Sequence, residues 1–290
     1  MKISQLFFGL LFFSSTLLLQ GCNHSSSSPS SGDTVQTLPD TSKTDPTNVV
    51  PSAPTTALTT PASMNVLLFN GTGISTSDWE SFQSILQGMN LTVKVVNSAE
   101  LEAMTINDLK TYGLIIVPGG HGGTMSDNLD QATKIRVRQA VRDYGVSYLG
   151  ICAGAWVAVG SEASGDGNSS YGFPVIAGTH LANWWPNGNT STVAAVVPVT
   201  FADGTSRQLV WWGGPSTPDW TGGVVARYSN GKAAISEAWS GNGFVVLSGP
   251  HPEAPQGWRA TAGTDSDGLD YDIAKELITA ALNRKPLPTY

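Results

Sequence analysis

The run Gly113-Leu114-Ile115-Ile116-Val117, stopped by Pro118-Gly119-Gly120, restricts the fold more than any other feature of the chain. Uninterrupted apolar, β-rich residues without a polar alternation predict a strand covered on both faces, as in a parallel sheet held between helices. Its surroundings agree. Residues 64–69 read as a strand ending in the turn Asn70-Gly71-Thr72-Gly73. Ser77 caps a helix in which Trp79, Phe82, Ile85, Leu86 and Met89 recur at helical spacing. Residues 91–96 return as a strand, 105–112 as a short helix, 132–144 as a surface helix carrying Ile135, Val137, Ala140 and Val141, and 146–149 as a strand. This alternation predicts βαβ units around a parallel sheet.

Beyond about residue 163 the rhythm changes. Gly- and Asn-rich segments separate expected strands at 193–201, 208–212, 224–228, 233–237 and 244–248, and an amphipathic helix at 272–283 closes the chain. These read as added antiparallel strands and the last core strand. Ligands on parallel sheets bind at the carboxyl ends of strands. Both Pro118-Gly119-Gly120 and the run Gly150-Ile151-Cys152-Ala153-Gly154 fall at that edge.

The second run has the spacing of a nucleophile elbow, with Cys152 at the turn from strand to helix. A thiol there sits in strained backbone at a helix start, where amide dipoles favour the thiolate. Expelling an amine then needs a proton donor, usually an imidazole. Of four histidines, His24 lies in a low-complexity tract and His121 and His180 lie in loop-like stretches, whereas His251 directly follows a strand. Glu253, two residues on, is placed to orient the ring and stabilise its charged form.

These blocks resemble the class I glutamine amidotransferase superfamily, and more closely its biotin-protein ligase N-terminal-like branch, over about residues 64–283. The resemblance rests on Val117-Pro118-Gly119-Gly120, Gly150-Ile151-Cys152-Ala153-Gly154-Ala155, Trp211-Trp212-Gly213-Gly214-Pro215 and Gly249-Pro250-His251-Pro252-Glu253. It implies a flavodoxin-like doubly wound, mostly parallel α/β sheet. It further implies Cys152 as nucleophile, His251 as general base and acid, Glu253 as orienter, and backbone N–H groups of Gly120 and Ala153 turned to the oxyanion. Gly119, His121 and Trp212 would line the same cleft. The expected chemistry is acyl transfer from an amide or ester through an acyl-enzyme, with no cofactor. No synthetase or ligase domain accompanies it, so hydrolysis is expected rather than ammonia transfer. The other expectation is a catalytically silent binding protein that keeps the cleft.

At the amino end, Lys2 precedes an apolar stretch interrupted at Ser14, Ser15 and Thr16, which reads as a signal peptide over 1–21 and not as a spanning helix. Leu19-Gln20-Gly21-Cys22 resembles the bacterial lipobox, which makes Cys22 the lipidation site and the membrane anchor; the other reading is an ordinary cleavage site with a chance cysteine. Asn23 after it implies the outer membrane in a Gram-negative cell. Residues 22–63, rich in Ser, Thr and Pro, cannot bury a core and serve as a tether, so the domain spans 64–290 and holds all nine tryptophans. The chain carries a net charge of −7, which argues against nucleic acid as a partner, because phosphate binding needs clustered Lys and Arg. The only cysteines are Cys22 and Cys152; with Cys22 lipidated, Cys152 is expected to lack a disulfide partner in an oxidising compartment.

Three further expectations concern the second half. Trp184, Trp185, Trp211, Trp212 and Trp220 either wall a cleft or pack the core, and a pair in a strand exposes one ring. Asp265-Ser266-Asp267-Gly268 fails the spacing of a calcium loop and reads as a polar loop. Asp270 or Asp272 is expected to cap the last helix. No Cys/His set has zinc spacing.

Overall fold

The computed structural model describes residues 63–161 and 171–290. The leader, Cys22 and the tract to residue 62 lie outside them. The first half comprises Val66–Phe69 (β1), Thr76–Gly88 (α1), Val93–Val96 (β2), Ser98–Ala103 (α2), Ile106–Leu109 (α3), Leu114–Val117 (β3), Gly122–Asp127 (α4), Gln131–Arg142 (α5), Ser147–Ile151 (β4) and Ala153–Trp156 (α6). The second comprises Ala195–Phe201 (β5), Ser206–Trp211 (β6), Val224–Tyr228 (β7), Ala233–Ser240 (β8), Gly243–Ser248 (β9), Arg259–Ala262 (α7) and Tyr271–Asn283 (α8).

All nine strands form one sheet in the order β2-β1-β3-β4-β9-β8-β7-β5-β6. The five strands from β2 to β9 run parallel, and β8, β7, β5 and β6 extend the sheet antiparallel. The parallel part has the flavodoxin-like order, with β9 as fifth strand. Continuous apolarity has its physical reason here. Leu114 and Ile116 of β3 face one core, while Ile115 and Val117 face the other. The first core is closed by Phe82, Ile85 and Leu86 of α1 and by Ile273, Leu277, Ile278 and Leu282 of α8. The second is closed by Val137, Ala140 and Val141 of α5. Ile135, expected on that face, is half-buried, and the helix instead buries Thr133, Lys134 and Arg138.

The structure adds helices that periodicity does not predict. In α2, Asn97 and Glu100 form a reciprocal capping box, which satisfies two otherwise orphaned amides in a helix too short for a periodic stripe. In α1 the cap position falls on Ser75, two residues before Ser77. Asp270 occupies the cap position of α8 but makes no capping bond. Its carboxylate faces Arg207 at 2.9 Å and Arg259 at 3.1 Å instead.

The aromatic segment is corrected towards packing. Trp184 stacks on Tyr228 at 3.8 Å and meets Trp211 edge-on, and Trp185 meets Trp211 edge-on from another side. Trp184, Trp211, Trp212 and Trp220 are all buried. Trp211 and Trp212 do not split between interior and solvent, because β6 ends at Trp211 and Trp212 already lies in the following turn.

Candidate active site

The site begins with a close approach at the elbow. A Cβ on Gly154 would overlap the Val117 carbonyl, and one on Gly150 would press on the Gly154 carbonyl. Only glycines let β3, β4 and α6 meet there. Between them Cys152 takes φ 50° and ψ −107°, a left-handed conformation that strains a residue with a side chain. The strain is held by a tight frame: Cys152 N–H donates to the Ser248 carbonyl at 2.8 Å, and β4 and β9 pair with Ile151 level with Ser248. The helix that follows is only four residues long, so its dipole supports the thiolate less than a full helix would.

Cys152 is fully buried, and its Sγ lies 3.7 Å from the Trp212 carbonyl. The sulfur is disulfide-bonded, and the described residues contain no free cysteine. The chain's other cysteine, Cys22, lies outside the described residues.

His251 stands beyond the end of β9, next to the strand that carries Cys152. Its backbone N–H donates to the Val210 carbonyl at 2.8 Å, which ties the loop after β9 to β6. Its Nδ1 lies 2.9 Å from Glu253 Oε1 in a hydrogen bond. The same nitrogen lies 3.1 Å from Asp78 Oδ1, an ion-pair contact without hydrogen-bond alignment. All three side chains are at most 1% exposed. Burial by itself lowers the imidazole pKa, but the Glu253 charge and the contacts with Asp78 and Glu253 outweigh it and raise His251 to about 10. Glu253 is pushed upward, first by its own burial and also by the Asp78 charge, against the pull of His251.

The turn after β3 completes the edge. Gly119 accepts from Ser75 N–H at 3.0 Å, and His121 N–H donates to the Gly73 carbonyl at 2.7 Å, which holds the turn against the start of α1. Gly120 has φ 147°, a value open to glycine. Among the described residues, the amides of Gly120 and Ala153 donate to no other backbone group, as two oxyanion donors require. The Nδ1 of His121 accepts from Thr124 N–H at 3.1 Å and caps α4. Trp212 forms the cover with Trp258, whose ring meets both Trp212 and His251 edge-on at 5.0 Å and whose Nε1 donates to Ser77 Oγ at 3.1 Å.

Asp78 and Trp258 escaped sequence reasoning. Asp78 in the first turn of α1 reads as an ordinary dipole complement. The usable signal was its spacing: Asp78, Phe82 and Ile85 share one helix face, and that face is buried. Asp78, His251 and Glu253 are also the one group among the described residues whose ligating atoms come close enough to suggest a metal. The 2.9 and 3.1 Å separations are too short for it, since ligands about 2.0–2.1 Å from a tetrahedral zinc stand roughly 3.3–3.5 Å apart. A shared proton fits these separations and a tetrahedral zinc does not.

A parallel sheet in this order, with a cysteine elbow at one strand end and a His-Pro-Glu loop at the next, is the arrangement that the resemblance to class I glutamine amidotransferase-like domains implies. Residues 64–169 match the family model described as biotin-protein ligase, N terminal. Solved structures with the same fold include the protein SMU.1228c, at 11% identity and a TM-score of 0.50 over 76% of this chain and 99% of that one. A glutamine amidotransferase is similar at 20% identity and a TM-score of 0.49 over 74% of this chain and 98% of the other. One from Methylobacillus flagellatus is similar at 14% and 0.45 over 76% and 90%.

Proposed function

We propose that this protein is a cysteine-dependent amidase or related hydrolase, exported and lipid-anchored at Cys22 in a bacterial cell envelope. The observation that carries the reading is Cys152 at φ 50° beside the buried His251–Glu253 pair on the neighbouring strand end. In the reduced protein the Cys152 thiolate attacks an amide or ester carbonyl, and the carbonyl oxygen takes the negative charge between the Gly120 and Ala153 amides. His251, protonated, gives its Nε2 proton to the departing amine or alcohol, leaving a thioester on Cys152. Water then adds to the thioester as His251 takes its proton, the carboxylic acid departs, and the thiolate–imidazolium pair is restored.

The state of Cys22 matters to this chemistry. Cys22 is the only sulfur within the chain able to pair with Cys152, and a lipid thioether on Cys22 excludes that disulfide. Activity is therefore expected from the reduced or lipidated protein. Membrane attachment through the lipid, outer-membrane in a Gram-negative host, and an amide of the envelope as substrate belong to the same proposal.

A second reading has its own observation in favour. Cys152 is closed over and disulfide-bonded, as suits a silent binding protein. Incubating the reduced protein with a library of amides and esters, and weighing it intact, separates the two. An acyl adduct on Cys152 supports the hydrolase. Ligand binding without any adduct across the library supports the silent reading and overturns the enzyme.

A further inference from the structure

We infer that Asp78 is a positioning residue of this site, a second carboxylate that shares His251 Nδ1 with Glu253 and locks the imidazole against the Pro118–Gly120 turn. The inference deepens the hydrolase reading and rests on it for its catalytic meaning.

Asp78 has no structural duty that accounts for it. Neither of its carboxylate oxygens has a hydrogen-bond partner, although the side chain is 1% exposed. A buried carboxylate with so few partners costs stability and is retained where its charge is used. Among the described residues, the only cation within ion-pair reach is the His251 ring, at 3.1 Å. Gly119 reserves the space for this contact, since a Cβ there would overlap Asp78 Oδ1 and come within 2.6 Å of His251 Cε1. Because the Gly119 carbonyl also accepts from Ser75 N–H, the start of α1, the oxyanion turn and the imidazole form one interlocked unit.

Two acceptors at Nδ1 leave a single way to hold the neutral ring, with the proton on Nδ1 and the lone pair on Nε2. Nε2 is buried without a hydrogen-bond partner, so it is the nitrogen open to exchange a proton with substrate. The second carboxylate also favours the imidazolium, which keeps the acid that the leaving group requires available into the alkaline range. The groups facing the ring are Asp78 from α1, Glu253 from its own loop and the Trp258 ring from the turn Gln256–Trp258, while Cys152 lies at the end of the adjoining strand. Behind Glu253, Arg259 donates to the Ala254 carbonyl at 3.0 Å, and Tyr271 feels the Glu253 charge.

The test follows His251 by nitrogen-15 chemical shift against pH in the reduced, full-length protein, unmodified and as Asp78→Asn. Expected is at least a tenfold loss of proton affinity in the variant, and a matching downward move of the alkaline limb for hydrolysis, with kcat reduced and KM little changed. An unchanged His251 titration in folded Asp78→Asn overturns the inference. Should the variant fail to fold, the Asp78 carboxyl carbon-13 shift in the unmodified protein decides: a step at the His251 midpoint supports it and a flat trace overturns it. Coupled titration without any acyl adduct on Cys152 sinks the hydrolase reading and leaves the contact standing. An adduct without coupling does the reverse.

Discussion

Two groups of charges gather at the amino ends of α1 and α8, the first closed from solvent and the second partly open to it, and they are built on different rules. Around Arg207 and Arg259, donors and acceptors are nearly matched: Asp270 gives one oxygen to each arginine, Asp272 takes two hydrogen bonds from Arg207, Arg259 also reaches Asp265 at 2.6 Å, and Arg207 Nε alone is left with an ion-pair contact, to Asp267. Around His251 they are not. Asp78, the outer oxygen of Glu253 and His251 Nε2 are left without hydrogen-bond partners in a closed interior. An ion-pair group that saturates its bonds clamps structure, whereas one that holds unused acceptors and an unused nitrogen keeps them for a reacting molecule.

The sharpest way to break this contrast is to remove the group that only the second cluster serves. Cys152→Ser is expected to lower turnover of any amide substrate by about a thousandfold or more while the circular dichroism spectrum stays native; residual turnover near the wild-type rate would separate the cluster from catalysis. Arg259→Ala attacks the matched cluster, stranding buried Asp270 beside fewer partners. Its cost is about 3–5 kcal/mol of stability by urea titration, with kcat in the surviving folded fraction nearly unchanged. A large loss of kcat there would mean that the clamp also positions the site.

Gly119→Ala sharpens the comparison from inside the reactive cluster, since the methyl group enters the space of the Asp78–His251 contact. About 1–3 kcal/mol of destabilisation is expected from the overlap, together with a loss of activity larger than that destabilisation explains. The smallest effect concerns a third buried charge, Glu237 on β8, which burial raises to about 8 against one hydrogen bond from Leu287. The folded state there keeps a proton that the unfolded chain releases, so stability falls as pH rises from the ordinary glutamate range to about 8 and levels off above it. Glu237→Gln keeps an acceptor for Leu287 and removes that fall, raising stability at pH 8 by about 2 kcal/mol in thermal melts.

The parallel half was legible from its residues because a doubly covered strand has a distinctive composition. The segments at 64–69, 113–117 and 146–149 became β1, β3 and β4 with shifts of one or two residues at their ends. The added antiparallel strands were also readable, from turn residues between β-rich runs. What composition could not carry was partnership across the sheet. Asp78 looked like a helix-start acid until α1 was laid against the His251 loop, and Asp270 looked like a cap until Arg207 and Arg259 came within reach. The tryptophans allowed either a cleft wall or core packing, and their burial, with Trp184 stacked on Tyr228, decides that most of them form core. The elbow, in contrast, was visible because its constraint is local: glycines at fixed offsets from Cys152.

The position of β9 has a consequence for how the protein matures. This strand is inserted between β4 and β8 and emerges from synthesis roughly a hundred residues after its neighbour β4, and contacts so far apart along the chain are late and slow to form. Until it docks, Ser248 cannot accept from the Cys152 amide and His251 has no place beside the elbow. A nascent or truncated chain thus holds the sulfur and the imidazole as strangers, and reactivity arrives together with the completed sheet.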